Sequence, residues 1–315
     1  MARAWPRSPL LAPDDPIGTA GCAVLRFHVR VLERERDAAR AGDVAAVHAL
    51  RVATRRLRAT LRLFEPALPA AARQLGEELA WLGRNIGAVR DLDVLEGAIS
   101  AASADVARAF RPGLGAVLQE LRARRRAAHR VLVDALDGPR LRALVAHVGT
   151  VAGSRRDPLG AVVVELVRPL MRSVRRAGRD LDQDATPEAF HRLRVRVKRL
   201  RYALETLGGL GGRPLRRMVR RLEALQEVLG AQQDAVTQAA WLRELARDAA
   251  SDVPTVLALG ALVQVLEQRA RRMRRQFPRV WARWDRRRLR RELVRALERR
   301  ARHRRPRVRL VAAAG

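Results

Sequence analysis

Residues 48–58 read His-Ala-Leu-Arg-Val-Ala-Thr-Arg-Arg-Leu-Arg, and residues 191–201 read His-Arg-Leu-Arg-Val-Arg-Val-Lys-Arg-Leu-Arg. His48 and His191 stand 143 residues apart. A second match falls at the same offset: Gly87-Ala88-Val89-Arg90-Asp91 corresponds to Gly230-Ala231-Gln232-Gln233-Asp234. An arginine-rich composition inflates chance matches, but a shared histidine, a shared order and a shared offset argue against chance. The chain therefore reads as two copies of one multi-helix unit. Two copies are too few for a solenoid, where three or more stacked units are usual. The expectation is two bundles related by a pseudo-twofold axis.

On a helix, with about 100° of rotation per residue, His48, Arg51, Arg55, Arg58 and Arg62 share one narrow sector. Leu50, Ala53, Leu57, Leu61 and Phe64 fall roughly opposite, as a core face should. The second copy repeats the pattern, with His191, Arg194, Lys198 and Arg201 in the basic sector and Leu193, Leu200, Leu204 and Leu207 in the apolar one. Two departures are visible. Glu205 stands where the first copy has Arg62, and Arg196 stands near the core face where the first has Ala53.

A basic stripe is often only a solvated face. Two features weigh against that here. Like charges three and four residues apart destabilise a helix, and a solvated face relieves them with interspersed acids, yet residues 48–64 contain none. The stripe also occurs twice. Guanidinium is planar, permanently charged and donates bidentate bonds to phosphate oxygens, so two facing stripes would form a cleft for a linear phosphate chain. His48 and His191 lie in line with the arginines. Either could donate to phosphate, with a nearby polyanion favouring its charged form, or serve a structural hydrogen bond. One histidine per stripe is a poor metal site, and no metal or cofactor is expected. Asp91 and Asp234 are expected to support the stripes by orienting an arginine.

Composition sets the frame. The 315 residues carry 64 Lys+Arg against 33 Asp+Glu, a formal charge of +31. Lys198 is the only lysine. Such a charge implies a polyanionic partner. The single cysteine, Cys22, excludes an internal disulfide and fits a reducing, cytoplasmic setting. No apolar run approaches the 20 or so residues that a membrane helix needs, and the first 16 residues lack the apolar core of a signal peptide. With 48% hydrophobic residues the chain can bury a core.

Apolar residues recur at spacings of three and four, without alternating stretches or hairpin turns, so the fold class is all-α. Breaks are expected near 41–43, 65–69, 138–139, 153–158, 184–187, 208–214 and 251–254, with Asp43 and Thr186-Pro187 as helix starts. The expected organisation is an N-terminal extension (1–16), a first bundle half (17–150), a second (151–285) and a basic C-terminal tail (286–315). From Arg286 to Arg309 the tail holds 13 Arg and two acids. It is expected to bind polyanions, nucleic acid included, without specificity and without needing a fold. The arginine clusters at 122–126 and 271–275 do not match each other and read as solvated faces.

At His48–Arg58 and His191–Tyr202 the sequence resembles the CHAD family, the conserved histidine α-helical domain. Both hallmark patterns, His-x-x-Arg-Val-x-x-Arg-Arg-Leu-Arg and His-x-x-Arg-x-x-x-Lys-Arg-Leu-Arg-Tyr, are present, and Gly87–Asp93 looks like the family's Gly-x-x-x-Asp element. The resemblance spans about residues 17–285. It implies two pseudo-symmetric four-helix bundles around a basic central pore, binding of inorganic polyphosphate, and association with polyphosphate granules. Carried onto this chain, it implies that His48, Arg51, Arg55, Arg56, Arg58, His191, Arg194, Lys198, Arg199 and Arg201 line or support that surface. Arg56 and Arg199 point away from the stripe on the helical wheel. Many relatives carry an acidic triphosphate-tunnel domain with a Glu-x-Glu-x-Lys motif. Glu33-Arg34-Glu35-Arg36-Asp37 is not that motif, so a stand-alone binding module, not an enzyme, is expected.

Two alternatives stand beside this one. A nucleic-acid-binding protein is compatible with the charge, but single-strand binders use aromatic platforms, and Trp81, Trp241, Trp281 and Trp284 are spaced like core or helix-end residues. A phosphate-chain-processing enzyme would need metal-binding carboxylates beside the phosphates, and the stripes hold only Glu205.

Overall fold

The computed structural model describes residues 9–302, apart from 107, 183 and 249–251. Among the described residues the regular structure is helical, with one isolated β-bridge between Pro16 and Pro158. The helices are α1 (Ile17–Arg40), α2 (Val44–Phe64), α3 (Gln74–Ala102), α4 (Leu114–Asp137), α5 (Pro139–Thr150), α6 (Leu159–Gly178), α7 (Pro187–Thr206), α8 (Gly208–Asp248), α9 (Val253–Trp284) and α10 (Arg287–Arg302).

Local chemistry sets the boundaries that position the two stripes. Gly42 has φ +88°, a left-handed conformation suited to glycine, and turns the chain out of α1. The Asp43 carboxylate then accepts from the Ala46 amide at 2.6 Å and caps α2. The Thr186 hydroxyl accepts from the Ala189 amide at 3.3 Å ahead of Pro187 and caps α7. The expected break at 208–214 lies within the first turns of α8, where Gly212 adopts φ +55° and kinks the helix. One break went unread in the sequence. α3 and α4 are separated by a short 3-10 segment, Arg108–Gly113, whose Pro-Gly ending was its available signal.

The same order of packing occurs in both halves. α1 packs on α2, α2 on α3, α3 on α4, and α5 closes against α1 and α3; correspondingly α6 packs on α7, α7 on α8, α8 on α9, and α10 closes against α6 and α8. Each half is thus four long helices plus a shorter fifth. The apolar faces expected on α2 and α7 are buried: Leu50, Ala53, Leu57 and Phe64, and Leu193, Leu200, Leu204 and Leu207, are all at 0% exposure. Burying one such leucine contributes about 1.5–3 kcal/mol.

Two features differ from the expected division. First, the core crosses the boundary at 150/151. Ile17, Val24 and Phe64 of the first half pack with Leu159, Val163 and Phe190 of the second. At the far end Leu95, Ile99 and Leu121 pack with Leu242, Leu259 and Leu266. Second, the basic segment from 286 is not a fold-free tail. Residues 287–302 are α10, whose Leu289, Leu293 and Leu297 are buried in the same core cluster as α6 and α8. The alternation of three leucines four residues apart within the arginines is an amphipathic pattern that the charge obscured. Residues 303–315 lie outside the described residues. No described helix is long and apolar enough to cross a membrane.

Candidate functional site

α2 and α7 pack directly on each other, and that contact brings the two stripes together. Arg51 lies where it feels Arg55 and Arg58 on its own helix and Arg194 across the contact. Lys198 sits within reach of Arg194, Arg55 and Arg51. Burial, then Arg194 and Arg55, push its ammonium down from the ordinary 10.5 to about 7, against a partial upward pull from Asp234. Arg51 and Arg194 are likewise held below the ordinary guanidinium range by burial. Holding four cations this close costs free energy. An anion among them would offset that repulsion and favour the charged form of Lys198.

The two aspartates take equivalent places. Asp234 Oδ1 accepts from Arg194 Nη2 at 3.1 Å, and Asp91 Oδ1 lies 3.8 Å from Arg51 Nη2. Arg51 also donates from Nη1 to the Gly83 carbonyl at 3.0 Å. A Cβ on Gly87 would stand 3.0 Å from that same nitrogen, so the repeated glycine leaves room for the guanidinium in the first copy. Gly230 has no comparable neighbour. By contrast Arg55 and Lys198, equivalent positions in the two copies, make no hydrogen bond or ion pair among the described residues. The Arg55 Nε is buried and unpartnered. A buried donor left unsatisfied is costly, and a phosphate oxygen would satisfy it.

Arg56 and Arg201 are committed elsewhere. Glu205 Oε2 accepts from Arg56 Nη2 at 2.7 Å across the α2–α7 contact, and Glu205 Oε1 lies 3.1 Å from Arg201 Nε. Their side chains are 13%, 16% and 19% exposed for Arg56, Glu205 and Arg201. Both guanidiniums also stand over the Tyr202 ring, at 5.6 and 5.3 Å from its centroid. The acid that breaks the sequence symmetry with Arg62 is thus a structural counter-ion joining the halves. Arg62 and Arg199 are both exposed and lie near each other.

The histidines differ. His191 Nδ1 lies 3.1 Å from Gln233 Oε1, and Gln233 donates onward to Thr237 at 3.2 Å. His48 has Arg90 at the position equivalent to Gln233. Burial, then Arg90 and Arg55, hold His48 below the ordinary imidazole range.

Arg51 and Arg58 open onto a cleft of ≈ 410 Å³, whose other lining residues include Arg84, Gly87 and Asp91 of α3. Arg84 was not among the expected site residues. Its spacing of three and seven from Gly87 and Asp91 places it on their helical face, which was the available signal. Three arginines of the 122–126 cluster are paired with acids: Arg122 with Glu96, Arg124 with Glu120, and Arg125 with Asp93 at 2.6 Å.

An all-α double bundle that concentrates unpaired cations from both copies at one helix contact defines a basic, histidine-bearing helical module. The CHAD domain family model matches residues 23–243, and the chain belongs to the CHAD family. Among solved structures, the chain is similar to the CHAD domain from the plant Ricinus communis, with 27% identity over 89% of this chain and 97% of that one and a TM-score of 0.71. It also shares its fold with PptA from Streptomyces chartreusis, at 23% identity over 85% of this chain and 99% of that one, with a TM-score of 0.68. No curated protein matches the chain.

Proposed function

We propose that this protein binds inorganic polyphosphate at the α2–α7 contact, as a binding module and not as a catalyst. The observation that carries the reading is the pair Arg55 and Lys198. These are equivalent residues of the two copies, crowded by Arg51 and Arg194 and lacking an acidic partner among the described residues. A chain of closely spaced phosphates offers an oxyanion to each cation in turn. Arg51 and Arg194, held by Asp91 and Asp234, keep their orientation while spare donors face the ligand. Of the neighbouring carboxylates, Asp234 and Glu205 are paired with arginines at 3.1 Å or less, and Asp91 lies 3.8 Å from Arg51, an arrangement that orients cations toward the ligand.

Competition binding at fixed salt tests the reading, with long-chain polyphosphate, tripolyphosphate, single-stranded RNA and duplex DNA as competitors. Polyphosphate should displace each of the others. RNA or DNA binding as tightly as polyphosphate would overturn it in favour of a nucleic-acid-binding function.

A further inference from the structure

We propose that the groove between α6 and α10 is a second phosphate-chain site, separate from the α2–α7 cluster and able to engage another stretch of the same polymer. This rests on the polyphosphate reading of the first site. The groove measures ≈ 580 Å³, with Met171 and Val294 among its lining. Arg168, Arg172 and Arg175 line one wall from α6, and Arg287, Arg291 and Arg295 line the other from α10. At 1.5 Å of rise per residue the two rows run for about 10 and 12 Å.

Few acids relieve this charge. Glu298 lies 3.6 Å from Arg168. Asp285 is shared by Arg175, at 3.6 Å, and Arg290. Arg172, Arg287, Arg291 and Arg295 are exposed and make no ion pair or hydrogen bond among the described residues. The rows repel each other, and the fold holds them together because Leu289, Leu293 and Leu297 are buried with Val163, Val167 and Val174 beneath them.

The first half shows that the architecture does not require these free arginines. There α5 closes on α1 in the same way, but both arginines of α5, and Arg26 of α1, are tied to the protein, and Arg30 of α1 is the exposed exception. Arg26 donates to the carbonyls of Gly149 and Val151, Arg140 donates twice to Glu78, and Arg142 donates to the Asp137 carbonyl. The corresponding groove of the second half leaves four guanidiniums open toward solvent. No aromatic ring is part of its lining, so it lacks the stacking platform that single-stranded nucleic acid uses. A base-free chain of phosphates needs only the paired cationic rows. Two such sites on one molecule raise the affinity for long chains through effective concentration.

The test combines Arg172→Gln, Arg291→Gln and Arg295→Gln in the full chain and titrates polyphosphate of several hundred phosphates against a salt series. The fold is checked by circular dichroism and thermal melting. The expected result is a loss of about tenfold in long-chain affinity, with the log–log salt slope reduced by roughly one for each phosphate no longer neutralised. Should the α10 substitutions perturb the fold, Arg168→Gln with Arg172→Gln on α6 alone provides the comparison and should lower affinity severalfold. In a background carrying Arg55→Glu and Lys198→Glu, residual long-chain binding should disappear when the groove substitutions are added. Wild-type affinity and slope in a folded groove variant would overturn the second site while leaving the first intact. Loss of duplex DNA or RNA binding with polyphosphate binding unchanged would overturn its assigned occupant. Absence of polyphosphate binding in the wild-type protein would instead remove the reading on which this site rests.

Discussion

Arg55 and Lys198 hold the same position in the two sequence copies, and the fold sets them near enough that Arg55, after burial and Arg194, helps hold the Lys198 ammonium down to about pKa 7. The chain's only lysine is therefore a titrating group at the centre of a field of arginines that do not titrate.

Charge reversal at this pair, Arg55→Glu with Lys198→Glu, should weaken polyphosphate binding by at least 100-fold, about 2.7 kcal/mol. The same reversal at the paired, exposed Arg122 should leave it within twofold. Titration at fixed salt measures both. Thermal melting should show the Arg55/Lys198 variant to be no less stable than the wild type, because like-charge repulsion is removed.

Polyphosphate affinity should fall as pH rises from about 7 to 9. Free Lys198 loses its proton around pH 7, whereas phosphate favours the charged form, so binding takes up a proton across this range. Lys198→Arg should flatten the profile, since guanidinium stays charged. For the unliganded protein the sign is opposite. Between about pH 7 and 10.5 the unfolded chain binds the proton that the folded chain has released, so this group's contribution to stability rises with pH. Isothermal titration and denaturant melts across the pH series read the two effects separately.

Glu205→Gln should lower stability by about 3 kcal/mol, because it removes the charge that Arg56 and Arg201 share at this part-buried contact and leaves Arg201 the more distant Glu223 at 3.9 Å. Added polyphosphate should raise the melting temperature of this variant by more than it raises the wild type. Equal shifts would place Arg56 and Arg201 outside the ligand's reach. Differential scanning fluorimetry at matched ligand reads the difference.

Leu293→Ala should cost about 2–5 kcal/mol by opening a cavity at the α6–α8–α10 junction. Truncation after 285, which removes all of α10, should unfold the second half. Denaturant midpoints for the wild type and the two variants decide the matter.

The sequence by itself determined the all-α class, the duplication and the face each stripe helix buries. These follow from short-range spacing, since residues three and four apart share a helical face wherever the helix goes. It also marked Asp91 and Asp234 as partners for stripe arginines, because both recur at the offset of the stripes themselves. Only the tertiary structure decided which arginines are free. Arg58 and Arg201 hold equivalent stripe positions in the two copies, yet Glu205 engages Arg201 while Arg58 opens onto the cleft. The pairing of Arg56 with Glu205 depends on the packing of α2 on α7, a relation across 149 residues. The tertiary structure likewise turned the basic segment after 286 into a core helix. Three leucines gain their burial only from α6 and α8, and no local pattern of charge announces partners that distant.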